Sequence, residues 1–247
     1  MNQIELLSIV HQQLALDLNC TVADLVSEET FIFVEAAENE GRRAFPRREQ
    51  YFEMLTVGKA VVISATPARL DFAKKQFAGK SREEAYALPF VLDYSLNYVP
   101  DLANQKRLLP PEKMTYELLE QERIHEFVHL KDFTHALHVE AHAEIQIQLA
   151  MVAKEQEQVV AVASAYNWCA NMWGIGVDVL PAYRQRGLAA YLVNALSHEL
   201  LARQIIPCYE TSATNLNSQR VATKAGFFPA WLCDRRVSFE GSLQNHT

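Results

Sequence analysis

Residues 173 to 190 read Trp-Gly-Ile-Gly-Val-Asp-Val-Leu-Pro-Ala-Tyr-Arg-Gln-Arg-Gly-Leu-Ala-Ala. The apolar run Trp173 to Leu180 is expected as a strand, and Gly187 to Arg203 as a long helix entered through a tight turn. A helix start leaves its first N–H groups unpaired and carries about half a positive charge, so it attracts anions. Gly187 lets backbone approach a ligand closely, and Arg184 and Arg186 add positive charge. The stretch therefore predicts an anion site. No Gly-Lys-Ser/Thr follows, so it is not a Walker loop, and its spacing is not G-x-G-x-x-G. It is Arg184-x-x-Gly187-x-Ala189 after a valine-rich strand.

Working outward, Ile205 to Ser212 reads as a strand and Ser218 to Ala225 as a helix closed by Gly226. Upstream, Tyr116 to Leu119 is a short strand and Ile124 to Leu130 a helix. Ala150 to Ala153 and Val159 to Ala165 form an antiparallel hairpin across a polar connector. Pro100 to Lys113, with three prolines and no sustained period, reads as a linker. Two domains are expected, residues 1–110 and 113–247. In the first, Ile4, Leu7, Val10, Leu14 and Leu18 mark an amphipathic helix, and Thr21-x-x-Asp24 starts a second. Phe31 to Val34, Tyr51 to Leu55 and Lys59 to Ala65 read as strands, and Thr66-Pro67 opens another helix.

The chain has 247 residues, 49% hydrophobic and 21% charged, with 8 Gly and 9 Pro, which excludes disordered and collagen-like classes. Lys and Arg total 23 against 30 Asp and Glu, a charge of −7, so no general field attracts a polyanion and no nucleic-acid partner is expected. Cys20, Cys169, Cys208 and Cys233 lie far apart without a C-x-x-C pair and read as reduced thiols. The first eighteen residues lack a signal-peptide pattern, and no apolar run is long enough to span a membrane. A cytoplasmic protein without membrane partners is the expectation.

A second motif follows the first: Asn215-Leu-Asn-Ser218-Gln-Arg-Val221-Ala-Thr-Lys224-Ala-Gly226-Phe227. Together, in their spacing and element order, the two resemble the coenzyme-binding and following signatures of the GNAT acetyltransferases, over about residues 115 to 236. The ending Gly-Phe-Phe-Pro-Ala-Trp231 and the run from Trp173 look like a two-domain bacterial branch. The resemblance implies an α+β fold, a mixed and mostly antiparallel sheet with splayed central parallel strands, plus a smaller N-terminal α/β domain that is either a further unit or a diverged GNAT-like half. It implies an acyl-CoA-dependent N-acyltransferase, with acetyl-CoA as co-substrate and an unidentified amine of a small molecule or peptide as acceptor. By the same resemblance, the backbone of Val177, Asp178 and Val179 bonds the pantetheine arm and offers an oxyanion donor. Arg184, Gln185, Arg186, Gly187, Leu188 and Ala189 hold the pyrophosphate, and Asn215 and Ser218 lie near the arm.

Two positions depart from the family pattern. Where many members carry a tyrosine that protonates the departing thiolate, this chain has Ala222; where some carry a glutamate base, it has Trp173. Tyr209 and Tyr183 are the substitute acids, and Glu210 is the first candidate base with Asp178 second. The Asp178 side chain points to the face opposite Val177 and Val179. His125/His129 and His138/His142 have i,i+4 spacing, which makes a metal hydrolase a rival class, but Glu140 breaks the His-Glu-x-x-His pattern and no metal is expected. Arg42, Arg43, Arg47 and Arg48 read as a solvated basic loop. Ala222, Trp173 and the extra first domain motivate the alternative of a non-catalytic acyl-CoA sensor or interaction module.

Overall fold

The computed structural model describes residues 1–43, 51–88, 91, 94–137 and 145–236. In chain order the elements are α1 (Gln3–Leu18), α2 (Val22–Leu25), β1 (Phe31–Glu35), β2 (Phe52–Thr56), β3 (Val61–Ala65), α3 (Pro67–Phe77), α4 (Arg82–Tyr86), β4 (Ser95–Pro100) and β5 (Thr115–Glu120). There follow α5 (Gln121–Ile124), α6 (Thr134–Leu137), β6 (Ile147–Glu155), β7 (Gln158–Asn167), β8 (Met172–Val179), a 3-10 turn (Pro181–Tyr183), α7 (Leu188–Ala202), β9 (Ile206–Ser212), α8 (Leu216–Lys224) and β10 (Phe227–Arg236). The chain forms two compact units, one of residues 1–3, 98–211 and 215–228, the other of residues 4–97, 212–214 and 229–247.

In the first unit the strands run in the order β9-β8-β7-β6-β5, with β8 and β9 parallel and the other pairs antiparallel. One face, from Leu119 through Ala150, Val152 and Val162, is covered by Ile124, Phe127, Phe133, Ala136 and Leu137 of the α5–α6 segment. Ala161, Ala163 and Ala165 alternate with these residues and are buried, so their small side chains let α7 pack close against β7. The expected helix Ile124 to Leu130 is replaced by turns after Ile124. Phe127 N bonds Ile124 O at 2.9 Å and Leu130 N bonds Phe127 O at 3.0 Å, so three-residue steps supplant the α ladder.

Residues 101–113 contain no helix or strand, yet they are fixed as a strap. Asn194 on α7, 2% exposed, donates to Lys106 O at 3.0 Å and Ala225 O at 2.9 Å and accepts from Leu108 N at 2.9 Å. Gln105 bonds Ser197 Oγ at 3.2 Å and Ala225 O at 3.1 Å.

In the second unit the order is β1-β3-β2-β10, with β1 and β3 parallel and β2 antiparallel to both neighbours. Phe52, Met54, Ile63 and Ala65 form one core with Leu70, Ala73 and Phe77 of α3 and Ala85 of α4. Along α1 the buried stripe is Leu6, Val10, Leu14 and Leu18, while Ile4 is exposed: the burial follows steps of four from Leu6. Arg43, expected in a solvated loop, is instead buried, paired with Asp17 and stacked 5.5 Å over the Trp231 ring. Arg42 pairs with Glu38, and Arg47 and Arg48 lie outside the described residues.

Candidate coenzyme and acyl-transfer site

Between β8 and α7 the chain makes a turn built for an anion. Gln185 and Gly187 adopt left-handed φ values of 63° and 84°, on either side of Arg186. Left-handed residues alternating with ordinary ones turn successive N–H groups toward one concavity, a fixed partial positive charge. Gly187 is also the N-cap residue of the fifteen-residue α7 and provides no side-chain cap, so the N–H groups of the first turn stay open to a ligand. Leu188 and Ala190 are buried and anchor the helix start. Arg184 Nε donates to Val179 O at 3.1 Å, and Arg186 donates to Ala182 O at 3.0 Å while lying 4.9 Å over the Tyr183 ring. Both guanidiniums thus brace the turn. A third cation, Lys224 from the last turn of α8, brings its ammonium 3.8 Å from where a Cβ on Gly187 would stand. Lys224 belongs to the second motif but is not among the residues expected at the anion site; its place as the last residue of α8, two before Gly226, was the available signal.

The strand leading into this turn separates from its parallel neighbour. Pairing of β8 with β9 covers Met172↔Ile206, Trp173↔Pro207 and Gly174↔Cys208 and then stops, whereas β8 continues against β7 as far as Val179↔Ala161. Val177, Asp178 and Val179 therefore have a backbone edge that β9 does not take up, on the side where a ligand can bond as an added strand.

Across the opening stands Tyr209, 4% exposed, its hydroxyl 2.7 Å from Ser218 Oγ and its ring 6.4 Å from Phe227. Burial pushes the Tyr209 phenol up, the Ser218 hydrogen bond works against this, and the charge of Asp178 adds to the rise. Two residues expected separately, Tyr209 and Ser218, are thus joined. Asn215 caps α8 through Ser218 N at 3.1 Å. Glu210 is half-buried on β9 and, as the next residue, lies on the other side of the strand from Tyr209. Tyr183 is engaged elsewhere, its hydroxyl donating to Glu155 at 2.7 Å, which holds its phenol above the usual range. Ala222 is fully buried in α8.

Asp178 points toward α6. Its Oδ2 accepts from His135 N at 2.7 Å and Ala136 N at 2.9 Å, and its Oδ1 lies 2.9 Å from His135 Nδ1. A neighbouring glycine makes room: a Cβ on Gly176 would meet His135 O at 1.9 Å. Ser164, opposite Gly176, donates its hydroxyl to Ala136 O.

The i,i+4 premise fails for His125 and His129, which sit in turns after α5, and His138, Glu140 and His142 lie outside the described residues. Among the described residues no three His, Cys, Asp or Glu side chains gather as a metal site, and no helix is long and apolar enough to cross a membrane. None of the four cysteines is in a disulfide.

A family model described as GNAT acetyltransferase matches residues 23–230. Similar solved structures include an acetyltransferase of the GNAT family from Colwellia psychrerythraea, 16% identical, with 58% of this chain and 56% of that chain covered at a TM-score of 0.43. A GCN5-related N-acetyltransferase-like protein from Streptococcus suis is 18% identical, with 72% of each chain covered at 0.41. A GCN5-related N-acetyltransferase from Sphaerobacter thermophilus is 14% identical, with 58% and 52% covered at 0.43. The chain spans little more than half the length of the first and third of these. Among curated proteins nothing matches.

Proposed function

Since the chain belongs to the GNAT acetyltransferase family, we propose that it transfers an acetyl group from acetyl-CoA to a primary amine of a small molecule or peptide by direct attack with both ligands bound. The observation that carries this reading is the junction of an open strand edge with an anion cradle: β8 loses β9 after Gly174, and the chain then enters the Gln185–Gly187 turn at the start of α7. A coenzyme with an amide-bearing arm and a pyrophosphate needs both features, one after the other. The turn fits the anion, because two left-handed residues, an uncapped helix start and the Lys224 ammonium converge on it.

In this reading the backbone of Val177, Asp178 and Val179 holds the arm and stabilises developing negative charge on the thioester oxygen. Arg184, Gln185, Arg186, Gly187, Leu188 and Ala189 form the phosphate turn, Asn215 and Ser218 flank the arm, and the Tyr209 hydroxyl protonates the leaving sulfur. Glu210, the candidate base on β9, faces the side of the sheet that Asp178 faces, opposite Tyr209. Holding both reactants in one cleft supplies much of the remaining rate.

The test is calorimetric binding of acetyl-CoA followed by free-thiol release over a panel of primary amines. Binding with turnover is expected, and Arg184→Glu with Gly187→Asp is expected to abolish binding. Absence of acetyl-CoA binding by the unaltered protein overturns the reading. The buried Ala222, without the family hydroxyl, favours one second reading, an acyl-CoA sensor; binding without turnover on any amine would select it.

A further inference from the structure

We propose that His135 is the general base that deprotonates the acceptor amine, with Asp178 as its positioning residue; the proposal rests on the acyl-transfer reading above. Three contacts from two strands fix the short α6 turn that carries His135. Asp178 accepts the main-chain N–H of His135 and Ala136, Ser164 bonds Ala136 O, and Gly176 leaves space for His135 O. Such convergence is more than a four-residue helix needs for burial, and its effect is to hold one imidazole beside the open edge of β8.

The hydrogen bonding sets the tautomer. With the Asp178 carboxylate 2.9 Å from Nδ1, that nitrogen carries the proton and Nε2 keeps its lone pair. The imidazole is 79% exposed while Asp178 is 15% exposed, so the carboxylate is sheltered and Nε2 is open to an incoming amine. Among the described residues, Asp178 is the charged group in contact with the ring, and Thr134 Oγ1, 3.4 Å from Nδ1, is a polar neighbour. Asp178 also lies within charge reach of Tyr209, and the register puts the two on opposite faces of the sheet, so the base and the thiolate acid flank the opening between β8 and β9 from its two sides.

The acceptor ammonium gives one proton to His135 Nε2, and the freed nitrogen lone pair forms the carbon–nitrogen bond at the thioester carbonyl. The carbon–sulfur bond breaks and the thiolate leaves with its electron pair. A second nitrogen proton replaces the one that Tyr209 delivers to sulfur. Amide and free thiol result, and the imidazolium returns its proton to water.

The experiment measures thiol release from acetyl-CoA with benzylamine, lysine methyl ester and spermidine for the unaltered protein, His135→Ala, Asp178→Asn and the control His129→Ala, with acetyl-CoA binding followed by calorimetry. His135→Ala retains the backbone bonds to Asp178, so folding is kept. The expected loss in kcat/KM for the amine is about 10²-fold or more, with acetyl-CoA affinity unchanged, the pH profile of kcat/KM altered, and partial rescue by added imidazole. Asp178→Asn is expected to lose less and also to alter that profile, and His129→Ala to match the unaltered protein. Equal rates and equal pH profiles for His135→Ala and the unaltered protein overturn the proposal alone. No thiol release from the unaltered protein overturns the transfer reading and the proposal with it. A long-range proton–nitrogen correlation spectrum gives a readout independent of acceptor: a proton on Nε2 of neutral His135, in place of Nδ1, also overturns it.

Discussion

The Tyr209 hydroxyl, buried and bonded to Ser218, keeps its proton well past neutrality, because burial and the Asp178 charge both penalise the phenolate. A protonated donor is what a departing thiolate requires, so Tyr209→Phe is expected to lower turnover about 10²-fold with acetyl-CoA affinity unchanged, as read by steady-state kinetics beside calorimetry. Ser218→Ala removes the bond that opposes the rise and is expected to move the phenol's titration further up, visible in ultraviolet absorbance at alkaline pH. Lys224 is exposed at the α8 end, its ammonium beside Gly187 of the anion turn. Lys224→Ala is expected to weaken acetyl-CoA binding about 3- to 10-fold, more at low salt than at high, in line with a partly screened ion pair. Residue roles were the least legible part of the sequence. Arg184, Gly187 and Asn215 follow from local spacing, whereas the Tyr209–Ser218 and His135–Asp178 pairs join positions 9 and 43 residues apart. No local period encodes such contacts.

At the scale of elements, α6 depends on the strand face beneath it. Gly176→Ala would drive a methyl group against His135 O, and the expected cost is about 1–3 kcal/mol, checked by urea unfolding. The strap over α7 depends on one buried amide in the same way. Asn194→Ala leaves Lys106 O and Leu108 N without this partner and Ala225 O with Gln105 alone, an expected loss of about 2–4 kcal/mol by the same measurement. The order from β6 to α8 was legible because each element has a strong local signature: a polar connector inside a hairpin, a valine-rich run, a glycine at a helix start. The α4 helix was not read, although Ser81 and Glu84 form a reciprocal capping box. Neither β4 nor β10 was read as a strand. Both carry polar residues that a buried strand does not advertise: Asn97 and Asp234 are 0% and 2% exposed, and burial of such groups is decided by tertiary partners.

Across the whole chain, two half-buried imidazoles set an acid limit on stability. Burial lowers the titration of His198, and that of His11, below the ordinary histidine value. The unfolded chain therefore takes up protons first as pH falls through about 6.5, and folded stability declines below that point and is fully present above it. The urea midpoint is expected to fall between pH 7.5 and pH 5.5, and His198→Gln is expected to reduce that fall. The composition allowed one domain or two, and the two compact units are not successive in sequence: the one that holds β1 to β3 takes β10 from residues near the far end. A fragment of residues 1–110 lacks the partner of β2, so circular dichroism and size-exclusion chromatography are expected to find it poorly folded or associated. The same strand order bears on synthesis. When Thr56 leaves the ribosome, its partner Leu232 and the rest of β10 are still unmade. With roughly 180 residues to translate at about 5–20 per second, the open edge of β2 waits on the order of 10–40 s. In that interval it is a surface for chaperones, and among the described residues the strand made last is the one that completes the sheet of β1 to β3.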